Sequence, residues 1–234
     1  MRSNRTTPAL RPEVETRILH GPAGRLDSRW HGPRGGPPVL VLHPHPLFGG
    51  TMGSRLVYDV TAALAAAGWR AVRFDFRGVG RSEGAYGDGD GECADAAAVH
   101  DALRAATGRD PAVVRYSFGG GVAVRLATLR PTARLVAIGT QPRVFRSALA
   151  PIDDAPRVAC PAHLVLGDRD EHVTVAEAQR LAAAFRPPAA LTVIPGAGHF
   201  LEPSRNPDAV AAVLGALGPA SPAPSGPRRP RSGT

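Results

Sequence analysis

Apolar positions follow two rhythms along the chain. Val14–His20 and Arg25–His31 flank Gly-Pro-Ala-Gly and read as a hairpin. Pro38–Leu42 is an unbroken apolar run, as expected of a strand buried on both faces. Arg55–Ala67 has helical spacing and stops at Gly68. The alternation continues with strands over Ala71–Phe76, Ala112–Tyr116, Ala133–Ile138, Ala162–Leu166 and Ala190–Ile194. Helices are predicted over Cys93–Thr107, Phe118–Leu129, Val175–Phe185 and Pro207–Leu217. Repeated strand–helix units predict an α/β fold: a doubly wound, mostly parallel sheet with an antiparallel N-terminal hairpin. Residues 1–12 and 219–234 are polar or rich in Pro, Ser, Gly and Arg, so we expect a disordered arm and tail around one domain at 13–218.

Composition removes several function classes. The 234 residues are 43% hydrophobic and 21% charged, as in a soluble globular protein. No apolar run approaches the ~20 residues that span a bilayer, and the N-terminus lacks a signal-peptide core. A cytoplasmic protein with no membrane partner is expected. All 28 basic residues are Arg, which excludes a Walker A lysine, a lysine Schiff base and a lysine general base. The net charge of +8 sits mostly in the ends: Arg2, Arg5, Arg11, Arg228, Arg229 and Arg231 face no acid there. A near-neutral body argues against a specific nucleic-acid footprint. Tethering of the arms to nucleic acid or acidic lipid is the less favoured reading beside a solvated tail. Cys93 and Cys160 show no metal-ligand or CxxC spacing and read as free thiols.

In doubly wound sheets, function gathers on loops after the strands. After Ala112–Tyr116 comes Ser117-Phe118-Gly119-Gly120-Gly121, the layout of either a nucleophile elbow or a simple helix cap. After Ala162–Leu166 come Asp168, Asp170 and His172; after Ala190–Ile194, His199 lies in a Gly-rich turn. His43-Pro44-His45-Pro46-Leu47-Phe48-Gly49-Gly50 follows the first parallel strand. Its His-x-His spacing suits a metal only with ligands from other strand ends, where His172 and His199 are the other loop histidines. A turn directing backbone N–H groups into a site is the better reading, and neither metal nor cofactor is expected. Phe74–Gly84 contains Gly-x-Gly but lacks the dinucleotide fingerprint. The order Ser117, Asp170, His199, each after a separate strand, is the chain order of the α/β-hydrolase triad.

With LHPHPLFGGTM at 42–52, RFDFRGVGRSEG at 73–84, YSFGGGVA at 116–123, LVLGDRDEHV at 164–173 and IPGAGHF at 194–200, the chain resembles the α/β-hydrolase superfamily. More narrowly it is similar to small, lidless hydrolases related to dienelactone hydrolases and small carboxylesterases. The resemblance implies Ser117 as nucleophile, His199 as base and Asp170 as triad acid, with Asp168 fixing the turn. It also implies oxyanion donors at the N–H of Phe118 and of Leu47, the latter chosen ahead of His45 and Phe48. The implied activity is cleavage of small esters or thioesters through an acyl-enzyme, with peptidase or lactonase action as neighbours. Gly139–Pro161 is 23 residues with four prolines, enough for a short helix near Val144–Leu149 but no cap domain. An open site of that kind favours short acyl groups. Both monomer and homodimer remain open.

One departure stands out. The elbow's usual Gly-x-Ser-x-Gly has Arg115 at its first position. Burying a guanidinium there requires a paired carboxylate. Either the backbone opens and Arg115 reaches solvent, preserving the triad, or the elbow distorts and the fold survives as a catalytically impaired binding module. The first is favoured because Gly119 and the other triad members persist.

Overall fold

Runs with no polar face are satisfied only in the middle of a sheet covered on both sides. β3 (Pro38–Leu42), β4 (Arg70–Phe74), β5 (Ala112–Tyr116) and β6 (Leu135–Ile138) are buried at every position in the computed structural model. The structure describes residues 14–144, 147–199 and 204–221; most of both expected arms lies outside that range. β1 (Val14–Gly21), β2 (Gly24–His31), β7 (Ala162–Gly167) and β8 (Ala190–Ile194) complete an eight-stranded sheet in the order β1-β2-β4-β3-β5-β6-β7-β8. β1 pairs with β2, and β2 with β4, antiparallel; every other pairing is parallel. The fold class is therefore the doubly wound α/β sheet that the sequence predicts.

Helices α1 (Arg55–Ala66) and α6 (Asn206–Leu217) cover one face, with Val57, Val60, Leu64 and Val213 packed on Val39, Val41 and Val114. On the other face α2 (Asp90–Thr107), α3 (Gly119–Leu129) and α5 (Val175–Ala184) pack on Leu40, Val72, Phe74 and Val113. β3 has β4 on one side and β5 on the other, so the chain reverses its winding direction there. The crevice beyond the carboxyl ends of β3 and β5 is the switch point where such sheets bind ligands.

Several boundaries differ from the sequence reading. β4 ends at Phe74 because the next groups find other partners: Asp75 N–H donates to Asp27 O (3.0 Å) and Phe76 N–H to His43 Nε2 (3.1 Å). α2 starts at Asp90, three residues early, because the Glu92 carboxylate accepts the N–H groups of Gly87 (3.0 Å) and Gly89 (2.8 Å). The helix expected over Val144–Leu149 is absent from its described residues, while 145–146 lie outside them. There Ala148 N–H and Ser147 Oγ bind Asp88 O (both 3.1 Å) instead of closing a helical turn. Only α4 (Pro151–Asp154) and a 3-10 turn, Ala155–Arg157, lie among the described residues between β6 and β7, and there is no cap domain. Residues 219–221, assigned to the tail by composition, lie against the body: Ala220 packs beside α1 and α6, and Arg109 donates to Ser221 O (2.9 Å). Among the described residues, no helix is long and apolar enough to cross a membrane.

Candidate active site

The turn after β5 places Ser117 at φ 55°, one of two described non-glycine residues with positive φ. Such a backbone costs on the order of 1–3 kcal/mol and persists only where the surroundings enforce it. Here Ser117 N–H donates to Ile138 O (2.9 Å), and Gly120 N–H donates to Ser117 O (2.8 Å). The strand enters α3 so closely that a Cβ on Gly119 would lie 2.8 Å from His43 O. Glycine at that position is a steric requirement of the turn.

Ser117 Oγ lies 2.8 Å from His199 Nε2, and His199 Nδ1 lies 2.9 Å from Asp170 Oδ2. Asp170 Oδ1 accepts the N–H groups of His172 (2.8 Å) and Val173 (2.9 Å). The carboxylate is thus locked by its own loop and takes the Nδ1 proton in a hydrogen bond. That leaves the Nε2 lone pair toward the serine hydroxyl. The His199 and Asp170 side chains are only 4% and 1% exposed, so water competes little for these bonds. Asp168 plays a different part. Its Oδ1 accepts Gly196 N–H (2.6 Å) and ties the β7 loop to the β8 loop.

Sequence reasoning missed three residues that hold His199. Tyr116 Oη donates to His199 O (2.8 Å), and Glu171 Oε2 accepts His199 N–H (3.0 Å). The bond from the His199 N–H pulls the Glu171 carboxyl below its ordinary range. Gly139, at φ 58°, leaves room for the ring: a Cβ there would sit 3.2 Å from His199 Cε1. Tyr116 ends a strand that also carries Arg115, so its phenol gave no distinctive signal. Nothing local marked Glu171 or Gly139. Tyr116→Phe is expected to cost about 1 kcal/mol of stability. It should also lower kcat several-fold with little change in KM, checked by a denaturant melt beside steady-state kinetics.

The loop after β3 is fixed by its histidines. His43 is fully buried; Nδ1–H donates to Pro44 O (2.7 Å) and Nε2 accepts Phe76 N–H. Burial pushes its pKa down to about 4, so it stays neutral. His45 Nδ1 accepts Leu47 N–H (3.2 Å), and its ring packs against Phe118 at 4.2 Å between centroids. Three of the four ring nitrogens in His43 and His45 are thereby spent on main-chain groups, which removes the lone pairs a metal would need. The same bond alters the expectation for Leu47. Its N–H is turned into the 3-10 turn Pro46–Phe48, and its side chain is 54% exposed.

Neither outcome expected for Arg115 occurs. The side chain is fully buried, yet the elbow keeps its geometry. Its guanidinium lies in the space that a side chain on Gly120 would occupy. From there it donates to Ser117 O and to Thr140 Oγ1. Gly120 and Thr140 together supply what the sequence reading sought from solvent or a carboxylate.

Above Ser117 opens a cleft of about 640 Å³, lined among others by His45, Phe48, Phe118, Gln141, Val144 and His172. A pocket of that size and largely apolar lining suits a small organic molecule. A profile of the α/β hydrolase fold family matches residues 37–159, more than half of the chain. The chain belongs to the α/β-hydrolase fold family. This α/β-hydrolase is 29% identical to an α/β serine hydrolase homologue from Coxiella burnetii, with a TM-score of 0.78 over 87% of this chain and 97% of that one. It is 27% identical to a lidless α/β serine hydrolase from Xanthomonas campestris, with a TM-score of 0.76 over 92% and 96% of the two chains. An uncharacterized protein of Rickettsia prowazekii (strain Madrid E) is 37% identical over 117 residues, 48% of this chain. The chain spans 49% of that relative's length.

Proposed function

We propose that this α/β-hydrolase is a serine hydrolase that cleaves small carboxylic esters or thioesters through an acyl-enzyme. The supporting observation is the continuous hydrogen-bonded line from Ser117 Oγ through the His199 ring to Asp170. His199 Nε2 takes the hydroxyl proton as Oγ attacks the carbonyl carbon. The C–O or C–S bond to the leaving group then breaks, and His199 returns the proton to that group. Water attacks the acyl-enzyme by the same route, releasing the acid and restoring Ser117. Asp170 holds the imidazole in the Nδ1–H form and stabilises its cation.

The developing oxyanion is held by the Phe118 N–H and by a second main-chain N–H of the loop after β3. Leu47 serves as this donor if its N–H, 3.2 Å from His45 Nδ1, exchanges that bond for the oxyanion. The amides of Leu47, Phe48, Gly49 and Gly50 are directed to His45 Nδ1, His45 O, Pro46 O and His45 O. Each such donor is worth ~3–4 kcal/mol in the transition state.

A panel of nitrophenyl esters, thioesters and lactones, run on the wild type and Ser117→Ala, tests the reading. Turnover confined to the wild type is expected, with kcat/KM falling as the acyl chain lengthens, because no cap domain covers the cleft. A rising trend toward long acyl groups would contradict the size argument. Arg115 is the one observation favouring a second reading, a binding protein without chemistry. A wild type silent on the whole panel, with a large gain in Arg115→Gly, would select it.

A further inference from the structure

We propose that the cleft selects substrates carrying an aryl group, held at the rim by Phe48 as part of an aromatic wall with His45 and Phe118. The inference names a substrate class for the serine-hydrolase reading and rests on that reading for turnover, though not for binding. It starts from the turn after β3. Pro46, with its fixed φ, opens the 3-10 turn, and Gly49, at φ 77°, closes it. Gly50 then passes so close to the preceding chain that a Cβ on it would lie 2.2 Å from Pro44 O. A three-residue turn of this kind buries none of its side chains, and Phe48 is left 63% exposed. An exposed apolar side chain is ordinary by itself. This one lines the same cleft as Ser117 and His199.

Phe48 belongs to a set of rings. His45 meets Phe48 at 4.8 Å between centroids with the planes 67° apart, and meets Phe118 at 4.2 Å with the planes 42° apart. All three rings line the cleft. Tyr86, which does not line it, supports His45 at 5.3 Å and Phe118 at 6.1 Å. His45 and Phe118 are almost wholly buried, so this wall is formed before a ligand arrives and little ordering is required of it. Charge offers less to a substrate. Among the lining residues Arg55 carries the one permanent charge, and it is already paired with Asp59 Oδ2 at 2.7 Å while its side chain is 76% exposed. A neutral group with a π-face is therefore the better match than an anion. Aromatic pairs attract beyond the burial of their area, in offset or edge-to-face contact at centroid spacings of about 4.5–7 Å. A saturated ring of the same carbon number gains the burial without that directional contact. The aryl group enters on the acid or the alcohol side of the ester, since both halves meet at Ser117.

The test uses paired esters in which a methylene insulates the ring from the reacting carbonyl or oxygen, so that intrinsic reactivity is nearly matched. In the acid arm, ethyl phenylacetate is set against ethyl cyclohexylacetate. In the alcohol arm, benzyl acetate is set against cyclohexylmethyl acetate. Each kcat/KM is divided by the alkaline hydrolysis rate of the same ester. In at least one arm the wild type is expected to prefer the aryl partner by about three-fold or more. Phe48→Leu, which keeps apolar bulk, should abolish that preference, and Phe48→Tyr, which keeps the ring, should retain it. Preferences below about three-fold in both arms would overturn the proposal and leave the hydrolase reading intact. A preference that persists undiminished in Phe48→Leu would overturn it equally. Binding of the same four esters to Ser117→Ala, followed by NMR titration, separates the two readings. The aryl partner should bind about three-fold tighter or more, and the difference should vanish when Phe48→Leu is added. A wild type that hydrolyses none of the four esters while Ser117→Ala shows this binding preference would overturn the hydrolase reading alone.

Discussion

Ser117→Ala is expected to lower kcat on any small ester by on the order of a million-fold, leaving the fold and the thermal melt nearly unchanged. The size follows from the arrangement. Ser117 Oγ is the hydroxyl bonded to His199 Nε2, and Ala cannot form the acyl-enzyme. Residual rate over water comes only from the oxyanion donors and from binding. Stability is nearly conserved because Ser117 holds its turn through main-chain bonds, its N–H to Ile138 O and its carbonyl from Gly120 N–H. Rates on a nitrophenyl ester beside a melt of each protein check both parts. A variant retaining more than about one part in a thousand of wild-type kcat would place the nucleophile elsewhere.

Asp170→Asn should reduce kcat by about 10⁴-fold with the geometry conserved. Asparagine fills the same space, but its amide no longer presents two acceptors. The N–H groups of His172 and Val173 already claim Oδ1, so the oxygen of the new amide is drawn to them. The NH₂ group then faces His199 Nδ1, which forces the proton to Nε2. His199 in that tautomer points N–H at Ser117 and cannot act as base. The loss should shrink at high pH if alkoxide formation bypasses the base, and the pH–rate profile of the variant reads this directly. Asp168→Asn is the control: its bond to Gly196 N–H fixes a turn, so it should affect stability more than rate.

The sheet was legible because β3 and β6 are wholly apolar and β5 opens on Ala-Val-Val, which leaves one solution for β3, β5 and the helices between. Ends were legible only where backbone groups pair with backbone. β4 and α2 shift because Phe76, Gly87 and Gly89 give their N–H groups to side chains, those of His43 and Glu92. Ser117 and His199 stood out because each follows its own parallel strand and the topology brings those ends to one rim, while the choice of Asp170 over Asp168 came from the family resemblance. Tyr116 and Glu171 act on the main chain of His199, and a main-chain contact leaves no pattern in side-chain identity. The direction of the Leu47 amide was not legible, because it is set by the φ angles of the turn and by the His45 ring. Arg115 was visible as an anomaly, while its accommodation depended on Gly120 and Thr140, five and twenty-five positions away.

Covalent capture by a fluorophosphonate, located by peptide mass mapping, interrogates the nucleophile itself. A single adduct on Ser117 is expected, formed readily near pH 8 and lost in Ser117→Ala. An adduct on another residue, or a folded wild type that resists labelling across the pH range, would contradict the assignment of Ser117 as nucleophile.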